Sequence, residues 1–120
     1  MAKVKGDVLK DPILKRIVEV IVKEIDPDKI ILFGSRARGD YKEHSDYDIL
    51  VLKRGIKPEE RKVLTNKVID ALFTSGVYSY ASVDIIIISP EMFQKLNSRW
   101  DLVFHYAYKE GKVVYEKGRG

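Results

Sequence analysis

The sequence predicts one compact α/β domain. Two long segments carry apolar residues at helical spacing, and three short apolar runs have the length of strands. Turn residues separate these segments, and the two types alternate along the chain. A chain of 120 residues is enough for a single core and too short for a second substrate-binding domain.

The elements follow in order. Asp11-Pro12 combines an N-cap acid with proline at the first helical turn. From there Ile13, Ile17, Ile21 and Ile25, with Leu14 and Val18, form one apolar stripe, while Lys15, Arg16, Glu19 and Lys23 face outwards. Asp26-Pro27-Asp28 ends this helix, and Lys29 to Phe33 reads as the first strand. Gly34 turns the chain, and Ser35 to Arg38 is expected to form a short helix stopped by Gly39. A polar loop, Tyr41 to Ser45, leads to the second strand, Tyr47 to Leu52. Pro58 with Glu59-Glu60 opens the second long helix, whose buried face is expected to hold Leu64, Val68, Leu72, Ile69 and Phe73 before Ser75-Gly76 ends it. Ser82 to Ile88 is the third strand, and its four isoleucines predict burial on both faces. Ser89-Pro90-Glu91 starts a short helix to about Leu96, and Asn97-Ser98 restarts a last one, lined by Trp100, Val103, Phe104 and Ala107. Val113 to Tyr115 is at best a short final strand.

Composition narrows the function classes. No apolar run approaches a membrane span, and Met1 to Lys10 mixes charged and apolar residues without a secretion signal. The absence of cysteine excludes disulfides and thiolate metal sites and points to a cytoplasmic chain. A net charge of +4, spread along the sequence, does not indicate a nucleic-acid-binding surface.

Chemistry concentrates between Gly34 and Val51. A Gly-Ser turn after a buried strand lets backbone N–H groups approach an anion, and a helix opening there adds its positive dipole. Ten residues separate Ser35 from Asp46, and Asp48 follows two positions further on. Strand residues two apart face the same way, so both carboxylates point to one side and Tyr47 to the other. Two such charges repel by about 3 kcal/mol at 5 Å and an effective dielectric of about 20. A hard divalent cation relieves that repulsion, and Mg²⁺ suits nucleoside triphosphates. Alone, a pair of acids at a strand start is often only a solvated strand end. Asp84 changes the weighting, because it opens the third strand and completes a three-carboxylate set if the second and third strands are neighbours. Such a set can hold two ions that polarise an attacking hydroxyl and stabilise departing pyrophosphate. Arg36 and Arg38 are candidates to clamp a triphosphate, Arg36 the more favoured. His44 and His105 lack metal-ligand spacing, so a surface and a packed role are expected. Tyr78, Tyr80, Trp100, Tyr106 and Tyr108 are core or interface material.

The stretch GSRARGDYKEHSDYDILV resembles the minimal nucleotidyltransferases of the DNA polymerase beta superfamily. The resemblance spans most of the chain, from the opening helix to the closing EGKVVYE. It implies a nucleotidyltransferase fold, a small mixed, twisted sheet flanked by helices, with the nucleotide in a groove at the strand ends. It makes Asp46, Asp48 and Asp84 the catalytic, metal-binding triad, with two Mg²⁺ or Mn²⁺ ions, and assigns ATP binding to Gly34 and Ser35. Larger relatives carry an added acceptor-binding domain. Relatives of this size are commonly paired, as antitoxins, with a small helical HEPN ribonuclease toxin and can adenylylate a toxin tyrosine. Two rivals stay open: an antitoxin acting by binding alone, and a transferase using a small molecule or RNA in a homodimer cleft.

Overall fold

The computed structural model describes residues 3–4, 10–96 and 103–118. Its elements in chain order are β1 (Lys3–Val4), α1 (Pro12–Ile25), β2 (Lys29–Phe33), α2 (Ser35–Arg38), β3 (Tyr47–Leu52) and α3 (Pro58–Thr74). A 3₁₀ turn (Val77–Ser79), β4 (Val83–Ile88), α4 (Pro90–Leu96), α5 (Val103–Glu110) and β5 (Lys112–Glu116) follow. The expected restart at Asn97-Ser98 and the packing of Trp100 lie outside the described residues.

The strands form one mixed sheet in the order β1-β5-β2-β3-β4. β2 runs antiparallel to both β3 and β5, whereas β3 and β4 are parallel. The long α3 between β3 and β4 is the crossover that a parallel pair requires. Alternate residues of β2 point to opposite faces. Ile30 and Leu32 pack with Ile17, Val18 and Ile21 of α1 and with Val68 and Leu72 of α3. Ile31 and Phe33 pack on the other face with Leu50, Leu52, Phe93 of α4 and Ala107 of α5. Helices therefore cover both faces, and the sheet holds the core between them.

Three expectations are corrected. Ile69 and Phe73 lie on the exposed side of α3, Phe73 being 75% accessible. Val68 and Leu72, one turn apart, take the inward line, and their successors are rotated about 100° away from it. β4 is buried on both faces only towards its end, where Ile87 packs with α1 and α3 and Ile88 with Phe93 and Ala107; its start lies open at the edge of the sheet formed by the described strands. Ile87 and Ile88 are buried, whereas Ile85 and Ile86 are only half-buried and Asp84 is exposed. The final strand is five residues long and lies between β1 and β2. It carries a bulge: Ile30 pairs with Tyr115 and Ile31 with Val113, leaving Val114 as the extra residue. Val114 and Tyr115 consequently both pack with α1 and α3.

Candidate active site

The site is built where β2 ends and β3 and β4 begin. β2 stops at Gly34, whose φ of +73° is a conformation side chains resist. Gly34 also lies against β3. A Cβ at this position would collide with Oδ2 of Asp48 and sit 3.1 Å from its Cγ. The glycine is thus required twice, by the turn and by the carboxylate beside it. α2 then makes a single turn, with Ala37 N–H and Arg38 N–H donating to Gly34 C=O at 3.1 Å and Gly39 N–H to Ser35 C=O at 2.9 Å. The first N–H groups of a helix have no intrahelical acceptor, so those of Ser35 and Arg36 remain available.

Asp48 and Asp84 stand directly opposite each other in the parallel β3–β4 pair. Neighbouring strands are about 4.8 Å apart, and opposed residues project to the same face. The two carboxylates interact directly. Asp48 is held above the usual carboxylate range by burial first, then by the charges of Asp84 and Asp46 and a hydrogen bond with Asp84, against a lowering contribution from Arg38. Asp46 precedes β3, is exposed and faces solvent. Gly34 thus touches Asp48, Asp84 faces Asp48, and Asp46 lies near enough for its charge to act on Asp48. The three acids offer carboxylate oxygens, the donors preferred by hard divalent cations. Among the described residues, no three His, Cys, Asp or Glu side chains are gathered closely enough to form a ready coordination sphere. The donor chemistry fits such an ion, with Asp48 and Asp84 as the preformed pair.

Arg36 and Arg38 hold the surrounding loops. Arg36 Nε donates to Ser45 C=O at 3.1 Å and Nη2 to Glu43 C=O at 3.3 Å. Its guanidinium lies 4.2 Å from the centre of the Tyr47 ring and 4.6 Å from that of Tyr41. These contacts engage two of its five N–H groups and stack its plane between two aromatics. Ser45 itself closes a turn, its N–H donating to Lys42 C=O at 3.0 Å and its Oγ accepting from Lys42 N–H at 2.8 Å. Arg38 bonds Glu110 at the end of α5 at 3.1 Å and Asp40 at 3.3 Å.

Sequence reasoning missed the strut beneath this loop. Tyr47, pointing away from Asp46 and Asp48 as alternation requires, is buried and donates its hydroxyl to Asp11 Oδ2 at 2.7 Å. Asp11 Oδ1 meanwhile accepts from Ile13 N–H and Leu14 N–H, capping α1. Burial and Asp11 keep the Tyr47 hydroxyl strongly raised and protonated. The N-cap of Asp11 was readable; its second partner, 36 positions away, left no local signal. Tyr78, half-buried, is raised first by burial and then by the charge of Asp84. Tyr80, Tyr106 and Tyr108 are exposed. His44 is exposed, and His105 is half-buried with its ring 5.8 Å from that of Tyr106.

A mixed sheet that sets paired acids beside a glycine turn is the scaffold of a phosphate-transfer enzyme. Residues 15–119 match the family described as "Polymerase beta, Nucleotidyltransferase", and the chain belongs to that family; it is a nucleotidyltransferase. Two proteins of Methanocaldococcus jannaschii, both named "Putative protein adenylyltransferase", are similar to it. One is 43% identical over 89 residues, covering 72% of this chain and 77% of the relative. The other is 35% identical over 81 residues, covering 68% and 73%. Among solved structures, a Sulfolobus solfataricus protein described as a "putative nucleotidyltransferase" aligns with a TM-score of 0.55 at 23% identity, over 85% of this chain and 76% of that one. A chain of a toxin–antitoxin structure with AMP-PNP aligns with a TM-score of 0.50 at 23% identity, over 86% and 73%. Both likenesses are of fold. None of the described helices is long and apolar enough to cross a membrane.

Proposed function

We propose that this chain transfers AMP from ATP to a hydroxyl group of a protein partner. The acceptor we infer is a tyrosine of a small helical HEPN-type toxin, which would make the chain an antitoxin acting by adenylylation. The observation that carries the transfer chemistry is the Asp48–Asp84 pair, set in register across β3 and β4 with Gly34 pressed against one member. Support for a protein acceptor comes from the two similar archaeal proteins and their names. Support for the toxin pairing comes from the resemblance of GSRARGDYKEHSDYDILV and from the fold shared with a chain of a toxin–antitoxin structure.

In this reading Asp46, Asp48 and Asp84 hold one or two Mg²⁺ ions, with Mn²⁺ as a substitute. Ions held there would supply charge neutralisation to a bound triphosphate. Gly34 admits the triphosphate close to the backbone, and the free N–H groups of Ser35 and Arg36 donate to its oxygens. Arg36 positions the Glu43–Ser45 loop, and hence Asp46, while its remaining N–H groups face the anion. Arg38 adds positive potential beside Asp48. The acceptor oxygen attacks the α-phosphorus, its bond forming as the α–β bridging P–O bond breaks. Pyrophosphate leaves with the electron pair, and Asp84, at the outer strand, receives the hydroxyl proton.

The test uses ATP labelled at the α-phosphate, Mg²⁺, and lysate of the source organism, with Asp48→Asn in parallel. Label on a small protein band, reduced on the order of 10²- to 10³-fold in the variant, is the expected result. Label confined to RNA or small molecules would overturn the protein acceptor in favour of a homodimer cleft. No label, with a stably bound helical partner, would leave neutralisation by binding. The exposed Phe73 and Tyr80 are the feature that favours this second reading.

A further inference from the structure

Among the described strands β4 lies at the edge of the sheet with one side unpaired, and it carries Asp84. Its ladder with β3 begins with Tyr47 N–H donating to Ser82 C=O at 2.9 Å and ends with Lys53 N–H donating to Ile88 C=O at 3.0 Å. Backbone groups alternate in direction along a strand, so the even-numbered residues bond β3. Val83, Ile85 and Ile87 therefore turn their N–H and C=O groups outwards. The side chain of Arg61 confirms the parity, its Nε donating to Ile87 C=O at 2.8 Å from α3. Among the described residues nothing pairs with the outward groups of Val83 and Ile85. Folded proteins usually blunt or cover such an edge. Among the described residues only the Ile87 end is capped, and the part left open flanks Asp84.

We propose that the open edge of β4 receives an extended segment of the acceptor protein as an additional strand. The inference rests on the protein-acceptor reading above and specifies how that acceptor is held. Register supplies the argument. A strand added beside β4 lies about 4.8 Å from it, and its residue opposite Asp84 projects to the face that carries Asp48 and Asp84. A hydroxyl side chain at that one position is presented to the carboxylate pair. Its neighbours point to the other face or lie further along. The edge thus selects a position rather than a sequence, since main-chain hydrogen bonds hold the segment. Charge narrows the occupant. The groove between α3 and this edge is lined by Arg61 and Lys62 with Thr65, Asn66, Ile85 and Ile86. Two cations beside half-buried isoleucines suit an apolar strand with acidic residues towards the Ile87 end.

A synthetic peptide with one tyrosine in an alternating valine–threonine strand, flanked by glutamates, serves as the probe. Amide hydrogen exchange on the wild-type protein with Mg²⁺ and ATP is expected to show protection of Val83 and Ile85 when the peptide is added. AMP transfer to its tyrosine is expected to fall about tenfold in Ile85→Pro, through loss of backbone hydrogen bonding at the edge. Proline there removes an outward N–H and leaves the β3 ladder intact. The melting temperature of the variant reports whether it has folded, and the exchange measurement needs no variant. Transfer to the peptide without protection at Val83 and Ile85, or undiminished in folded Ile85→Pro, overturns the edge while sparing the protein-acceptor reading. Protection without transfer supports the edge and removes that reading. Absence of protection at millimolar peptide, or protection that tracks protein concentration without peptide, also overturns the proposal, the latter in favour of a second copy pairing there.

Discussion

The two ends of the sheet handle acids in opposite ways. Where β2 begins and β3 and β5 finish, each acid meets a cation. Lys117 lies 2.7 Å from Asp26, Arg54 3.9 Å from Asp28, and Lys29 3.5 Å from Glu116. The hydrogen bond from Lys117 is the main cause holding the Asp26 carboxyl below its ordinary value. At the Gly34 end, Asp48 faces Asp84 with Asp46 close by, and its carboxyl is pushed up. One residue type is shifted in opposite directions within one small molecule. A cleft at the balanced end, lined by Asp28, Lys29, Arg54 and Lys117, has satisfied its charges internally. The other end leaves a negative site to be completed from outside. Unbalanced charge, more than concavity, marks the candidate site on which the proposed function rests.

Substitutions at each end sharpen the contrast. The largest effect is expected for Gly34→Ala, which forces a Cβ onto the Asp48 carboxylate at positive φ. Stability should drop by about 2–3 kcal/mol in a denaturant titration. AMP transfer should drop roughly 10²-fold through misplacement of the carboxylate. Arg36→Leu should be milder. It removes the stacking on Tyr41 and Tyr47 and both bonds to the loop, lowering stability by about 1–2 kcal/mol. Its transfer rate should fall while the acid pair remains intact, so raised Mg²⁺ should restore part of it. Lys117→Ala should do least. The pair is exposed, so the melting temperature at pH 7 should hardly move and transfer should be unchanged. A loss of transfer in Lys117→Ala comparable to that in Gly34→Ala would break the contrast.

The pH dependences of the two ends differ in sign. Asp26 has a lowered folded-state pKa, so its contribution is present above the unfolded carboxylate value and is lost as pH falls through the folded one. Asp48 has a raised pKa, so stability falls as pH rises from the unfolded value through the folded one.

Much of this was legible in the sequence. The stripe of α1, the Gly34 turn, and the strands bearing Asp48 and Asp84 follow from local periodicity and turn chemistry. Strand order was less accessible: Asp84 was conditional on β3 and β4 being neighbours, and the structure makes them so. What local pattern could not reveal was long-range partnership. The isoleucine run of β4 reads as a central strand, yet its position at the edge leaves Ile85 and Ile86 half-buried. Phe73 fits an apolar helix face, but no described element covers it and its side chain stays exposed. Arg36 stands beside an anion turn in sequence, while in space its first contacts are the loop carbonyls and two aromatic rings. Tyr47 and Asp11 meet only through the tertiary fold.

We propose that the acids at the Gly34 end are set apart to bind a divalent cation with ATP. This claim is tested most directly by melting wild type and Asp48→Asn at pH 7, without ligand and with Mg²⁺ and a non-hydrolysable ATP analogue. The account predicts that the unliganded variant melts higher than unliganded wild type, because a repelled, half-buried charge has been removed. It also predicts that the ligands raise wild type and leave the variant nearly unmoved. An unliganded variant that melts lower, together with an unchanged response to Mg²⁺ and nucleotide, would contradict it.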